Sequence, residues 1–210
     1  MQVKPNFNMA QNAATAFLNR QLITGLIFKP RTINLIEDGI IIDTISNYAR
    51  LTGQRRECFI ARNVDNCYTF ESDGLNIILY DETCSSLEHT DFGISHELGH
   101  IYCCHTHDGA TEEIEANFFA AQLLMPKIVC YYIMKHYLNH RINAWDLMDI
   151  FNVSLEAASK RINTFKRKNS FNSSKKDYAL LEKYKPFIQR FFERSIDDIN
   201  ETDSEYEMIV

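Results

Sequence analysis

Several things are missing from this chain, and each absence narrows what it can be. No apolar run is long enough to cross a bilayer: the best candidate, residues 21–28, falls far short of the roughly 20 residues a membrane helix needs. Residues 1–8 lack the basic start and unbroken apolar middle of a secretory signal, so a cytoplasmic location with no membrane partner is expected. Cys58, Cys67, Cys84, Cys103, Cys104 and Cys130 form no C-x-x-C pair, and in a reducing compartment they are expected as small buried side chains rather than disulfides. The neighbours Cys103 and Cys104 would point about 100° apart on a helix and suit no shared metal. No internal repeat is present, and basic charge is not in excess. The net charge is -6, and the segment 196–210 holds Asp197, Asp198, Glu201, Asp203, Glu205 and Glu207 without one lysine or arginine. The body of the chain is therefore near neutral.

What is present suits a globular protein of one substantial core plus a small accessory module, at 210 residues with 45% hydrophobic and 24% charged side chains. Ala13, Ala14, Phe17 and Leu18 recur at helical spacing, and Ile33, Ile36, Ile40 and Ile41 do so again after Pro30, with Gly39 as a weak point. From Cys58 the pattern changes to short strands: Cys58-Phe59-Ile60-Ala61, Cys67-Tyr68-Thr69-Phe70 and Leu75-Asn76-Ile77-Ile78-Leu79-Tyr80, with Asp73-Gly74 as a hairpin turn. A helix is expected from Ser85 or Ser86 to about Cys104, and another over 112–124, stopped by Met125-Pro126. Further helices are expected at 127–138, 143–151 and 154–166. The fold class is thus α+β, mostly helical, with a small three-stranded antiparallel or mixed sheet.

The chemistry is concentrated in His96-Glu97-Leu98-Gly99-His100. Two histidines four residues apart on a helix face the same way and can hold one metal ion, and Glu97 between them can act as catalytic base. Two imidazoles leave zinc short of ligands, so a third protein ligand is required. The segment Thr111-Glu112-Glu113-Ile114-Glu115-Ala116-Asn117 supplies candidates. With Ile114, Phe118, Ala121 and Met125 as the buried stripe, Glu113 and Asn117 share a second face. Glu113 is favoured as ligand, because Asn117 one turn later can hydrogen-bond a ligating histidine and fix its tautomer; Glu115 is the alternative. Such ligands suit Zn2+ best, with Mn2+, Fe2+ or Co2+ also compatible. His105, His107, His136, Tyr131 and Tyr132 are all open as transition-state donors.

His96-Glu97-Leu98-Gly99-His100, followed by Glu113-Ile114-Glu115-Ala116-Asn117-Phe118-Phe119-Ala120-Ala121-Gln122-Leu123-Leu124-Met125-Pro126, resembles the ImmA/IrrE family of bacterial and phage metallopeptidases over about residues 76–165. The resemblance implies a zincin-like fold, zinc ligation by His96, His100 and Glu113, and Glu97 as general base and acid. It implies an endopeptidase whose protein substrate is a helix-turn-helix repressor, cleaved or inactivated to switch on mobile-element, prophage or stress genes. The second reading is a non-proteolytic regulatory or toxin–antitoxin-like protein with a structural zinc site that binds DNA or a partner regulator. Cys103-Cys104-His105 and the long extension after Phe165 depart from the family pattern and leave the substrate open.

Beyond residue 138 the apolar stripe Ala144, Leu147, Met148 and Phe151, the turn Asn152-Val153, and the stripe Leu155, Ala158, Ile162 and Phe165 outline a helix-turn-helix-like module, with Ser154 as its internal cap. Lys160, Arg161, Lys166, Arg167 and Lys168 give residues 155–168 a charge of +4, which makes them candidate nucleic-acid or partner contacts. Helix packing or protein binding is favoured over DNA reading, because the whole chain is acidic. The expected division is a metallopeptidase domain at 1–138, this module packed on it at 139–168, a linker at 169–176, a helix at 177–195 kinked by Pro186, and a disordered acidic tail at 196–210.

Overall fold

The computed structural model describes residues 4–60, 66–107, 109–138, 141–167 and 173–207, with 166–167 and 194–207 described by their backbone alone. Asn6 starts helix α1 (Phe7–Arg20) by accepting the Met9 N–H on its side chain, and α1 buries Ala10, Ala14, Phe17 and Leu18 along one stripe. After Pro30 the helix expected from the isoleucine spacing does not form. Two short 3-10 turns at Pro30–Thr32 and Ile36–Asp38 lead into Gly39 (φ 73°) and then strand β1 (Ile40–Thr44). Ile40, Ile41, Ile42 and Thr44 are β-branched, stiff at χ1 and better packed on a pleated surface than in a helix. Gly39 supplies the left-handed turn without a steric penalty.

Helices α2 (Ile45–Thr52) and α3 (Glu57–Ile60) follow. The latter stands where a strand was expected at 58–61, of which residue 61 lies outside the described residues. A single helical turn is enough to bury Phe59 against Tyr48, at 5.4 Å between ring centres, and β1 takes the third place in the sheet instead. Strands β2 (Cys67–Ser72) and β3 (Leu75–Tyr80) form the expected hairpin, with both turn residues, Asp73 and Gly74, at positive φ (52° and 75°), as a type I′ turn demands. β3 pairs antiparallel with β2 and parallel with β1, giving a mixed sheet of order β1-β3-β2. Central β3 is buried on both faces: Ile78 joins the main core, Ile77 and Leu79 a smaller one with Ile45 and Phe59. β2 is left at the edge.

The main core is built by α1 together with α4 (Leu87–Tyr102), α5 (Ala110–Leu124), α6 (Lys127–His136), α7 (Ala144–Phe151), α8 (Leu155–Arg167) and α9 (Lys175–Glu207). The protein is α+β and mostly helical, and among the described residues no helix is long and apolar enough to cross a membrane. α9 runs through 196–207, where a disordered tail was expected; from Phe187 to Glu207 there is no glycine or proline to interrupt its backbone ladder. Of the expected linker, residues 169–172 lie outside the described residues, and Ser174 already caps α9 through the Asp177 N–H.

Two helices meet unusually closely. A Cβ on Gly99 of α4 would lie 2.9 Å from both the Cα and the carbonyl oxygen of Ala116 on α5, so the backbone spacing of the pair leaves no room for a methyl group. That contact also explains why α5 buries Ala116, Phe119, Ala120 and Leu123 rather than the stripe through Ile114, Phe118 and Ala121: its small residue must face the glycine, which leaves Ile114 exposed and Phe118 and Ala121 half-buried. Gly99→Ala is expected to lower stability by about 1–3 kcal/mol, as overpacking does; an unchanged urea midpoint would show that the helices part without cost.

α7 and α8 share this core rather than forming one of their own. Leu147, Ile150 and Phe151 from α7, Val153 from the turn, and Ala157 and Ala158 from α8 are buried in it. Asn152 takes a left-handed turn (φ 51°), and Ser154 accepts the Ala157 N–H as its cap. Leu155 is exposed, because α8 turns Arg161 inward.

Arg161, 1% exposed, donates from Nε and Nη2 to the Met125 carbonyl (3.0 and 2.8 Å) and from Nη2 to Gln122 Oε1. Gln122 donates to Thr15 Oγ1 at 3.2 Å, and Thr15 to Asp177 at 3.5 Å. This buried chain ties α8 to the end of α5, to α1 and to α9, and it satisfies a carbonyl at a helix end that would otherwise be unpaired.

Candidate metal centre

α4 sets His96 and His100 one turn apart, with their Nε2 atoms 3.0 Å from each other. The tight α4–α5 contact brings Glu113 over them. Its Oε2 is 3.4 Å from His96 Nε2 and its Oε1 is 3.4 Å from His100 Nε2. The three donors lie within 4.8 Å of one another, the one such group among the described residues. Donor atoms this close can share one cation, and two imidazoles with one carboxylate match a divalent, borderline-soft ion.

The remaining ring nitrogens point away and are held. His96 Nδ1 lies 3.3 Å from Asn117 Oδ1, and Asn117 Nδ2 donates to the Glu113 carbonyl at 2.8 Å. With the amide so oriented, its oxygen receives an Nδ1–H and leaves His96 Nε2 for a ligand. His100 Nδ1 faces His105 Nδ1 at 3.2 Å.

That second contact comes from how α4 ends. Cys104 is left-handed (φ 56°), its N–H bonds the Ile101 carbonyl, and the His105 N–H returns to the His100 carbonyl. This is a Schellman motif, whose geometry brings the second residue past the helix against the third from its end. Here the pair is His105 and His100.

Glu97 stands outside the donor group. Thr69 of β2 donates its hydroxyl to Glu97 Oε2 at 2.6 Å, a contact across 28 positions that no local pattern announces. Nearby Cys67 is buried, and burial together with the Glu97 charge pushes its thiol well above the ordinary range. Burial raises Cys103 to about 11 and Cys130 to about 12, so none of the three is a thiolate near neutral pH. Cys58 and Cys104 are exposed, contrary to expectation, and Cys84 is half-buried; no cysteine is paired.

Glu115 does not reach the donor group. It is buried, accepts the Asn6 N–H and faces His105. Of the five candidate transition-state donors, only His105 and His107 line the cleft of about 1120 Å³ over the site; His107 is exposed and pairs with Glu112 at 3.3 Å, and His136 packs on Tyr132 of the same helix. The basic set does not form one surface. Arg161 is buried and internally bonded, which removes it as a nucleic-acid contact, while Lys160 is exposed and paired with Glu156 at 2.7 Å. The side chains of Lys166 and Arg167, and all of Lys168, lie outside what the structure describes.

A family model described as the IrrE N-terminal-like domain, of the peptidase M78 family, matches residues 61–163, about half of the chain and the whole of the donor group. No curated protein and no solved structure matches the chain.

Proposed function

The chain belongs, through residues 61–163, to this IrrE-like metallopeptidase family, and on that premise we propose that it is a zinc-dependent endopeptidase that cleaves or inactivates a helix-turn-helix repressor. The observation that carries the reading is the convergence of His96 Nε2, His100 Nε2 and the Glu113 carboxylate beside a glutamate held from another element. His96, His100 and Glu113 would hold the ion, which supplies Lewis acidity toward a water molecule and a peptide carbonyl. Glu97 takes the proton of the attacking water on its carboxylate and passes it to the leaving amine nitrogen. Thr69 anchors one carboxylate oxygen, so the group keeps its aim through both transfers.

The cleft also favours a peptide substrate. Cys67, Tyr68, Thr69, Phe70 and Glu71 all line it in succession. Neighbours on a strand point to opposite faces, so an unbroken run can border a cleft only along the strand's edge, and β2 is an edge strand. An extended segment laid there gains backbone hydrogen bonds beside the donor group. The choice of a repressor rests on the family. A DNA-binding reading gains nothing from the structure, since the Arg161 side chain is enclosed.

The test is incubation with a helix-turn-helix repressor, taken from beside the gene where one is encoded there. The full-length repressor band is expected to disappear with zinc, to persist after treatment with a chelator, and to disappear again when zinc is restored. Cleavage that survives chelation would rule out the metal-dependent reaction; cleavage of unrelated unfolded proteins but not of the repressor would rule out the substrate.

A further inference from the structure

Behind His100 stand two buried residues that the proposed reaction does not use. The His105 side chain is 5% exposed and that of Glu115 9%. His105 Nδ1 is 3.2 Å from His100 Nδ1, and His105 Nε2 is 3.0 Å from Glu115 Oε2. The other carboxylate oxygen, Glu115 Oε1, accepts the backbone N–H of Asn6 at 2.5 Å, at the start of α1.

One arrangement of hydrogens satisfies every contact on the far side of His100, away from the donor group. Glu115, an acceptor, takes the His105 Nε2–H; His105 Nδ1 is then bare and takes the Nδ1–H of His100; His100 Nε2 keeps its lone pair, facing His96 Nε2 and Glu113. Moving the His100 hydrogen to the nitrogen that faces the donor group leaves either two bare Nδ1 atoms 3.2 Å apart or a bare His105 Nε2 against a carboxylate. The carboxylate therefore determines, through one intervening ring, which nitrogen of His100 carries the hydrogen.

We propose that Glu115 and His105 are positioning residues, which fix the tautomer and ring orientation of His100 and so set the affinity of the centre for zinc, with Asn6 holding the far end. The two ligating histidines are backed unequally: His96 by the neutral amide of Asn117, His100 by a buried carboxylate acting through an imidazole. The affinity claim rests on the metal-centre reading above, whereas the tautomer claim needs no metal.

Two measurements decide it. In the zinc-free protein, long-range proton–nitrogen NMR of the imidazoles is expected to show His100 carrying its hydrogen on Nδ1, and to show a shift toward Nε2–H in His105→Ala. Competition with a chelator is expected to show zinc affinity falling about 10–100-fold in His105→Ala, falling less in Glu115→Gln, and unchanged in His136→Ala. A wild-type His100 with its hydrogen on Nε2 overturns the proposal, as does a folded His105→Ala protein that binds zinc within twofold of wild type. Should His105→Ala unfold, Glu115→Gln is read by the same two measurements, and no change in either overturns the proposal. Wild-type protein that binds zinc no better than His96→Ala would instead sink the metal-centre reading, and the tautomer spectrum would still decide this one.

Discussion

Glu97→Gln is expected to lower kcat/KM for repressor cleavage by about 10²–10⁴-fold, the usual contribution of a general acid–base group, while zinc content stays at the wild-type level. The substitution nearly preserves shape, and its amide oxygen still accepts the Thr69 hydroxyl that holds Glu97 Oε2 at 2.6 Å. Only the capacity to take and return a proton is lost. Because Glu97 lies outside the group of His96, His100 and Glu113, the proposed ligand set is untouched. Kinetics on the repressor and a colorimetric zinc assay on the same preparation check both halves. A variant that cleaves within tenfold of wild type would move the proton transfer to another residue.

Arg161→Ala is expected to cost about 2–5 kcal/mol of stability, the range for a large-to-small change in a core that also leaves buried acceptors unpaired, measured by urea unfolding. Burial pushes the Arg161 guanidinium down to about 10, so it is still charged at neutral pH. Its removal strips two hydrogen bonds from the Met125 carbonyl and one from Gln122, and water has no ready access to replace them. Arg161→Lys is expected to rescue little, because an ammonium cannot reproduce the planar fork that reaches both acceptors. A loss under 1 kcal/mol for Arg161→Ala would mean that the core relaxes around the gap.

The legible parts of the fold were those governed by neighbours in sequence. Ser86, Ser154, Asp73-Gly74 and Met125-Pro126 act within a few residues, and the structure uses them as caps, a hairpin turn and a helix stop. The placing of Glu113 and Asn117 on one helix face was legible for the same reason. What was not legible depends on distant partners. The run Ile40, Ile41 and Ile42 becomes a strand because β3 is there to pair with it. The rotation of α5 is set by Gly99, on another helix. Arg161 carries a charge that reads as surface, and only the packing of α8 against Met125 and Gln122 reveals it as a core residue. Thr69 and Glu115 acquire their places through bonds that span 28 and 109 positions.

The open border along β2 also decides what kind of chemical probe would suit this protein. A compact drug-like molecule needs enclosing walls on several sides, and a trough bordered by a strand edge offers a long, polar, open surface instead. A stretched peptidomimetic, with hydrogen-bonding groups at strand spacing along its backbone and a metal-chelating headgroup at one end, matches that shape.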